Sequence, residues 1–153
     1  MATGDITEDK SLIYLEVFSG RTATSTAPTV VTEGVDLLPV ARHLGGMPQE
    51  ASLVVLSTAG SATMTVTCRS WGWLDSPLSA WFPLGPGTAA AKGTINEGAA
   101  LDETGTDLIR HSEPVYFAGH FKRYELQVTA IGGTATAVSA YLVFQKNVPR
   151  GRT

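Results

Sequence analysis

The sequence lacks most of the features that identify an enzyme, a secreted protein or a membrane protein. Its 153 residues contain a single cysteine, Cys68, which excludes an internal disulfide framework. Charged residues make up only 16% of the chain, the net charge is −3, and the basic residues are scattered. Nucleic-acid-binding proteins usually carry a basic patch, and no apolar run approaches the roughly 20 residues that span a bilayer. The composition therefore predicts neither a nucleic acid nor a membrane as partner.

The length and the first residues narrow the class further. A chain of this size is most simply one domain. The segment Met1–Asp5 is polar and acidic, unlike the basic and then apolar pattern of a signal peptide, so we expect synthesis in the cytoplasm. Low charge with many Ala, Thr, Gly and Val residues fits a subunit that hides its surface against other copies. It fits a β-sandwich with Thr-rich strands equally well.

The clearest positive pattern lies in the last third of the chain. Apolar and polar residues alternate along Tyr124–Ile131 and again along Thr134–Phe144, and Gly132-Gly133 separates the two segments. Side chains on a strand point to opposite faces with period two, so both segments are predicted strands. Because glycine readily supplies the positive φ of a short hairpin loop, the pattern predicts that the two strands pair as a hairpin.

Shorter segments with similar patterns precede this region. Leu12–Phe18 and Trp81–Leu84 are predicted strands, and Ala51–Leu56 with Ala62–Leu74 is predicted to form a second hairpin. Val35–Leu38 is favoured as a short strand, with a helical turn within Leu37–Gly45 as the alternative.

The sum of these patterns predicts an all-β fold, a single antiparallel sandwich or jelly-roll-like domain over residues 11–146. Residues 1–10 are predicted to be an extended N-terminal arm, and residues 147–153 a C-terminal tail. Pro86–Asp107 is predicted to be a long loop rich in Gly, Ala and Thr, of a length that is normally functional or stretched over a neighbouring surface.

Tryptophans are the most informative side chains for function. In the strand that contains Thr63–Trp73, Cys68 falls on the apolar parity, while Arg69, Trp71 and Trp73 fall on the other. A regular strand would place both tryptophans on the outer face beside Arg69, where they favour a protein interface or a platform for sugar rings. The favoured structural interpretation is simple burial, or a β-bulge near Ser70 or Gly72 that exchanges the faces and puts one or both tryptophans in the core.

Residues with the chemistry for catalysis or metal binding do not form a recognisable site. His111, Glu113 and His120 match no metal-binding spacing, and surface or hydrogen-bonded histidines are favoured. Cys68 is expected to be an inert core residue rather than a nucleophile. A weak cation site is the less favoured interpretation of four loop carboxylates, Glu97, Asp102, Glu103 and Asp107. The sequence therefore predicts no catalytic residue, no cofactor and no resident metal.

Four segments of the C-terminal half resemble small structural proteins of tailed bacteriophages. They are Trp81–Gly85, Gly93–Gly98, Ile109–Glu113 and Ile131–Val138. The nearest class is the capsid decoration, or cement, proteins. The resemblance implies a jelly-roll or β-tulip-like domain that trimerises on the outside of an icosahedral head and stabilises it. Collar, tail and head-fibre proteins of phages have similar sequence patterns.

Two functional hypotheses follow. In the first, the chain is a virion protein on the capsid surface, whose partners are the major capsid protein and its own copies, as a trimer. The candidate contact residues are Arg69, Trp71, Trp73, Trp81 and Phe82. In the second, the chain is a carbohydrate-binding β-sandwich that stacks sugars on Trp71 and Trp73. A hydrolase that uses His111, Glu113 and His120 is the least favoured hypothesis.

Overall fold

The computed structural model describes residues 4–23, 29–30, 34–59, 65–84, 100–101, 108–117, 119–131 and 135–146. Within these ranges the chain is mostly β, with one short helix, α1 (Leu38–Leu44). The strands, in chain order, are β1 (Ile6–Asp9), β2 (Leu12–Ala23), β3 (Thr29–Val30), β4 (Val35–Asp36), β5 (Glu50–Ala59), β6 (Thr65–Leu74), β7 (Ala80–Leu84), β8 (Ala100–Leu101), β9 (Leu108–Tyr116), β10 (Arg123–Ile131) and β11 (Ala135–Gln145).

The strands form two antiparallel sheets that pack face to face. Sheet A has the order β1-β2-β11-β5-β9, and sheet B has the order β3-β10-β6-β7, with β4 paired to β10 and β8 paired to β6. The predicted all-β sandwich is therefore confirmed, while the jelly-roll arrangement stays a prediction. No helix among the described residues is long and apolar enough to cross a membrane.

Alternation along the strands places the core between the sheets. Leu15, Leu142 and Leu53 are opposite one another on neighbouring strands of sheet A and are fully buried. Sheet B contributes Leu126 and Val128 from β10, and Cys68 lies opposite Val128 and is buried, as predicted. Burial of this many apolar side chains supplies the main stabilisation of the fold.

The pairing of β10 with β11 is where the sequence-based prediction was wrong. β10 pairs with β6 in sheet B, whereas β11 pairs with β2 and β5 in sheet A. The two strands face each other across the core and do not form a hairpin. Both arrangements bury Tyr124, Leu126, Leu142 and Phe144, so the alternation predicts the strands and their inner faces but not their partners.

The second predicted hairpin was wrong for the same reason. β5 pairs with β11 and β9 in sheet A, while β6 pairs with β10 and β7 in sheet B. The chain therefore crosses from one sheet to the other between Ala59 and Thr65. A close hairpin in sheet B is formed instead by β6 and β7, with Trp73 opposite Trp81.

Two local predictions near the N terminus also need correction. Residues 6–9 of the predicted arm form β1, which pairs with β2 from Ile6 opposite Leu15 to Asp9 opposite Leu12. The segment Leu38–Leu44 is helical, so the alternative interpretation was right and the strand ends at Asp36. Pro39 lies in the first turn of this helix, where its missing N–H costs nothing, and Gly45 ends the helix with φ of 79°.

Two other predictions lie largely or wholly outside the described residues. Of the predicted loop Pro86–Asp107, only Ala100–Leu101 is described, as β8. The predicted tail, residues 147–153, lies wholly outside the described part of the chain, as do the carboxylates Glu97, Asp102, Glu103 and Asp107.

Candidate functional site

Three side chains form a row across the outer face of sheet B, at the end where β10 begins. Arg123 on β10 lies opposite Trp73 on β6, which lies opposite Trp81 on β7. All three are half-buried. The guanidinium carbon of Arg123 is 4.6 Å from the centre of the Trp73 ring and 5.4 Å from that of Trp81. The two indole rings meet edge to face, with centres 5.4 Å apart at 62°. We call Arg123, Trp73 and Trp81 the Trp–Arg cluster.

Neighbouring residues hold the two indoles in place. The Trp73 Nε1–H donates a hydrogen bond of 2.9 Å to the carboxylate of Asp75. Trp81 extends over Gly34, where a Cβ atom would lie 2.7 Å from its Cη2 atom and 2.8 Å from the Tyr124 carbonyl oxygen. Gly34 has φ of +80°, a conformation that glycine adopts without strain. A residue without a side chain is therefore needed for Trp81 to cover this part of the sheet.

The turn between β6 and β7 carries an exposed apolar side chain beside the cluster. Leu78 is 60% exposed and lies between Leu74 and Ala80, the last residue pair of the hairpin. Trp73 and Trp81 form the next pair. One end of the β6–β7 hairpin therefore carries two aromatic rings and an exposed leucine, and the neighbouring strand β10 adds an arginine. Of these residues, tryptophan and arginine are enriched at the energetically important centres of protein interfaces.

Trp71 has the predicted face but not the predicted exposure. β6 pairs with β10 from Thr65 to Trp73 without a register shift, so there is no bulge at Ser70 or Gly72. Trp71 thus faces away from the core, between Glu125 and Pro83, yet it is only 2% exposed. Its neighbour on the outer face, Glu125, is also buried. The outer face of sheet B is therefore covered here, and Trp71 is not available as a contact residue in the free chain.

Arg69 and Phe82 lie apart from the Trp–Arg cluster. Arg69 is half-buried on the outer face opposite Gln127, and its partial burial lowers the pKa of its guanidinium. Phe82 lies opposite Gly72, on the side of β7 that packs against the core, with its ring 6.5 Å from that of Phe121. Phe82 is half-buried on the opposite side of β7 from Trp81, so it is not part of the Trp–Arg cluster, and its role as a contact residue stays a prediction. Parity along β7 places Trp81 outward and Phe82 inward.

The residues considered for catalysis are not brought together in the described part of the chain. His111 and Glu113 lie on β9, and their side chains are outside the described part. His120 lies in the turn before β10, with its ring 4.7 Å from that of Phe121. Among the described residues, no group of three or more His, Cys, Asp or Glu side chains has a metal-binding arrangement.

Comparison with known proteins identifies no relative. No protein-family model, curated protein or solved structure matches this chain. The Trp–Arg cluster is therefore the feature on which a functional argument for this chain has to rest.

Proposed function

We propose that this chain is a virion structural protein, a decoration or cement protein that binds the outside of an icosahedral phage head and stabilises it as a trimer. The Trp–Arg cluster is the observation that carries the proposal. Its aromatic and guanidinium groups are half-exposed and already held in place, so binding a protein surface would immobilise few side chains. The resemblance of the C-terminal half to phage structural proteins supplies the class of partner.

The geometry gives less support to the carbohydrate-binding hypothesis. Trp71, one half of the expected stacking pair, is buried. Trp73 and Trp81 meet at 62° and therefore do not offer one flat surface to a sugar ring. The guanidinium of Arg123 also lies against both indoles. A glycan would have to displace this arginine, which makes the cluster better suited to a protein surface.

Binding to phage heads tests the proposal directly. Heads would be prepared from the phage that encodes the chain, after deletion of its coding sequence, and mixed with the purified protein. We expect saturable co-sedimentation and a higher temperature of DNA release from the decorated heads. Heads that bind no protein at saturating concentration would contradict the proposal. A change in tryptophan fluorescence on addition of any glycan from a panel would instead support the carbohydrate-binding hypothesis.

A further inference from the structure

A groove of about 1120 Å³ lies at one end of the outer face of sheet A. On its floor Glu50 is opposite Tyr116, and Ser52 is opposite Val143. Gln145 comes two residues after Val143 and therefore lies on the same face of β11. The volume slightly exceeds the roughly 300–1,000 Å³ of clefts that hold small ligands. The groove therefore has room for a ligand of several rings.

The rim of this groove is the segment that joins α1 to β5, and contacts within the chain hold it in place. Met47 lines the groove and packs against the core. The carbonyl oxygen of Gln49 accepts a hydrogen bond of 2.7 Å from the Phe117 N–H. The Gln49 side chain lies against Gly119, where a Cβ atom would collide with it. A groove that is formed before its ligand arrives binds at a lower cost in conformational entropy.

Four polar side chains on the floor are available to a ligand. Glu50, Ser52 and Gln145 are exposed, and Tyr116 is 59% exposed. Within the described part of the chain, none of these four side chains makes a hydrogen bond or an ion pair. Together they supply a carboxylate, an amide and two hydroxyl groups. The floor therefore offers both hydrogen-bond donors and acceptors side by side.

The groove carries little charge. Lys146 lines it, but the ammonium group of this lysine donates a hydrogen bond to the Glu8 carboxylate. Glu50 is therefore the one charged groove residue without an ion-pair partner in the described part of the chain. A polyanion would be repelled by Glu50, and a basic peptide would find a single carboxylate to bind. These charges favour an uncharged ligand that is rich in hydrogen-bonding groups.

We propose that this groove binds an uncharged oligosaccharide. A sugar ring has an apolar C–H face and hydroxyl groups around its edge. The exposed ring of Tyr116 provides an aromatic surface for the C–H face. Glu50 lies directly beside it and accepts hydroxyl groups through a carboxylate, whose hydrogen bonds are stronger than those of a neutral acceptor. Ser52 and Gln145 lie within reach of the remaining hydroxyl groups on the same floor.

The groove is separate from the two surfaces considered above. It contains neither tryptophan of the expected stacking pair, and it lies on the outer face of the other sheet from the Trp–Arg cluster. A chain attached to a phage head through the cluster would keep the groove open. The proposal therefore adds a second binding activity and does not depend on the proposed function.

Calorimetric titration of the full chain tests the proposal with four uncharged hexasaccharides: maltohexaose, cellohexaose, chitohexaose and xylohexaose. We expect saturable binding of at least one, with tryptophan fluorescence unchanged. Tyr116→Ala and Glu50→Gln should each weaken the affinity by about tenfold. Leu78→Ala and Asp9→Asn are the matched controls, because they change an exposed apolar side chain and an exposed carboxylate outside the groove. Both controls should leave the affinity unchanged.

A second measurement locates the ligand without altering the floor of the groove. The ¹³C-methyl signal of Met47, assigned from its loss in Met47→Leu, reports on the rim. We expect this signal to shift in the wild-type chain as the bound hexasaccharide is added, and to approach its final position at the concentration that saturates the calorimetric signal.

Three outcomes would overturn the inference. They are the absence of saturable binding by all four hexasaccharides at millimolar concentration, binding that neither Tyr116→Ala nor Glu50→Gln weakens, and binding that leaves the Met47 signal in place. Binding of a hexa-arginine peptide without binding of any hexasaccharide would also overturn it and assign the groove to a basic peptide. Co-sedimentation with phage heads measures a different surface, so none of these outcomes contradicts the proposed function.

Discussion

The guanidinium of Arg123 lies over the ring of Trp73 on the neighbouring strand, with its central carbon 4.6 Å from the ring centre. A cation–π contact of this kind contributes about 0.5–1 kcal/mol at an exposed site and more when water is excluded. The contact joins β10 to β6, and the ring of Trp81 extends it to β7. The arrangement orders three large side chains before any partner binds, and a partner that covered them would strengthen the contact by removing water.

Removing one indole from the cluster should weaken attachment to phage heads. We expect Trp73→Ala to reduce affinity roughly 30-fold, which corresponds to about 2 kcal/mol, because truncated interface tryptophans commonly cost this much. Co-sedimentation with undecorated heads measures the change. Lys122→Ala removes an exposed cation next to Arg123 in the chain and should change affinity less than threefold. Equal losses in the two variants would point to general charge attraction and contradict a role for the cluster.

The sequence predicts which residues form strands better than it predicts which strands are neighbours. Alternation in β10 and β11 identifies Tyr124, Leu126, Leu142 and Phe144 as core residues, and all four are buried. The same alternation is compatible with a hairpin or with two strands that face each other across a sandwich. The choice depends on contacts between distant segments, such as β10 with β6, which a local pattern does not encode.

The candidate site shows the same division between local and long-range information. Parity placed Trp73 on the outer face, and the strand around Trp81 was predicted. Arg123 was missed because it joins the cluster only through the pairing of β10 with β6. Burial of one or both tryptophans was among the predictions, but the sequence did not indicate that Trp71 alone would be buried. Parity decides the face of a side chain and not whether another part of the molecule covers that face. Only a prediction that β10 pairs with β6 would have placed Arg123 beside Trp73.

Gly34 should be required for the position of Trp81. Gly34→Ala adds a Cβ within 2.7 Å of Trp81 and 2.8 Å of the Tyr124 carbonyl oxygen, at a backbone φ of +80°. We expect a loss of about 2–4 kcal/mol in the free energy of unfolding, from the left-handed backbone and the collision together. Gly20→Ala is the matched control because Gly20 has φ of +64° with no atom within 4 Å of the added Cβ. Urea unfolding that shows the same loss for both variants would mean that the collision is relieved at little cost.

A buried hydrogen bond between Tyr124 and Ser70 should stabilise the core of sheet B. The two hydroxyl oxygens are 2.5 Å apart, and Tyr124 is fully buried. Tyr124→Phe should lower the free energy of unfolding by about 1–2 kcal/mol, because it leaves the Ser70 hydroxyl in the core without this partner.

A double-mutant cycle with Ser70→Ala isolates that interaction. We expect the double variant to lose less stability than the sum of the two single losses. Tyr116→Phe, at a tyrosine that is 59% exposed, is the control and should change stability by less than about 0.5 kcal/mol. Additive losses from Tyr124→Phe and Ser70→Ala would show that the two hydroxyl groups do not stabilise each other.

Acid should weaken the attachment of β1 to the rest of the sandwich. The Glu8 carboxylate accepts a hydrogen bond from the Lys146 ammonium group, and His43 Nδ1 lies 3.8 Å from the same carboxylate oxygen. The Lys146 hydrogen bond is the main cause that lowers the pKa of Glu8 below its ordinary value of 4.5. A carboxyl group whose pKa is lower in the folded chain than in the unfolded chain stabilises the folded chain at pH values above the pKa of the unfolded state. This contribution is lost as pH falls through the folded pKa.

Measured between pH 6 and pH 2.5, the unfolding free energy of Glu8→Gln should therefore fall less steeply than that of the wild-type chain. Lys146→Met should flatten the same part of the curve, because it removes the main cause of the lowered pKa. Glu8 is exposed, so dissolved salt screens its ion pair with Lys146. We therefore expect 1 M salt to reduce the difference in unfolding free energy between each variant and the wild-type chain. Asp9→Asn, on the same strand, is the control. Parallel pH curves for Glu8→Gln and the wild-type chain would show that this ion pair does not hold β1 in place.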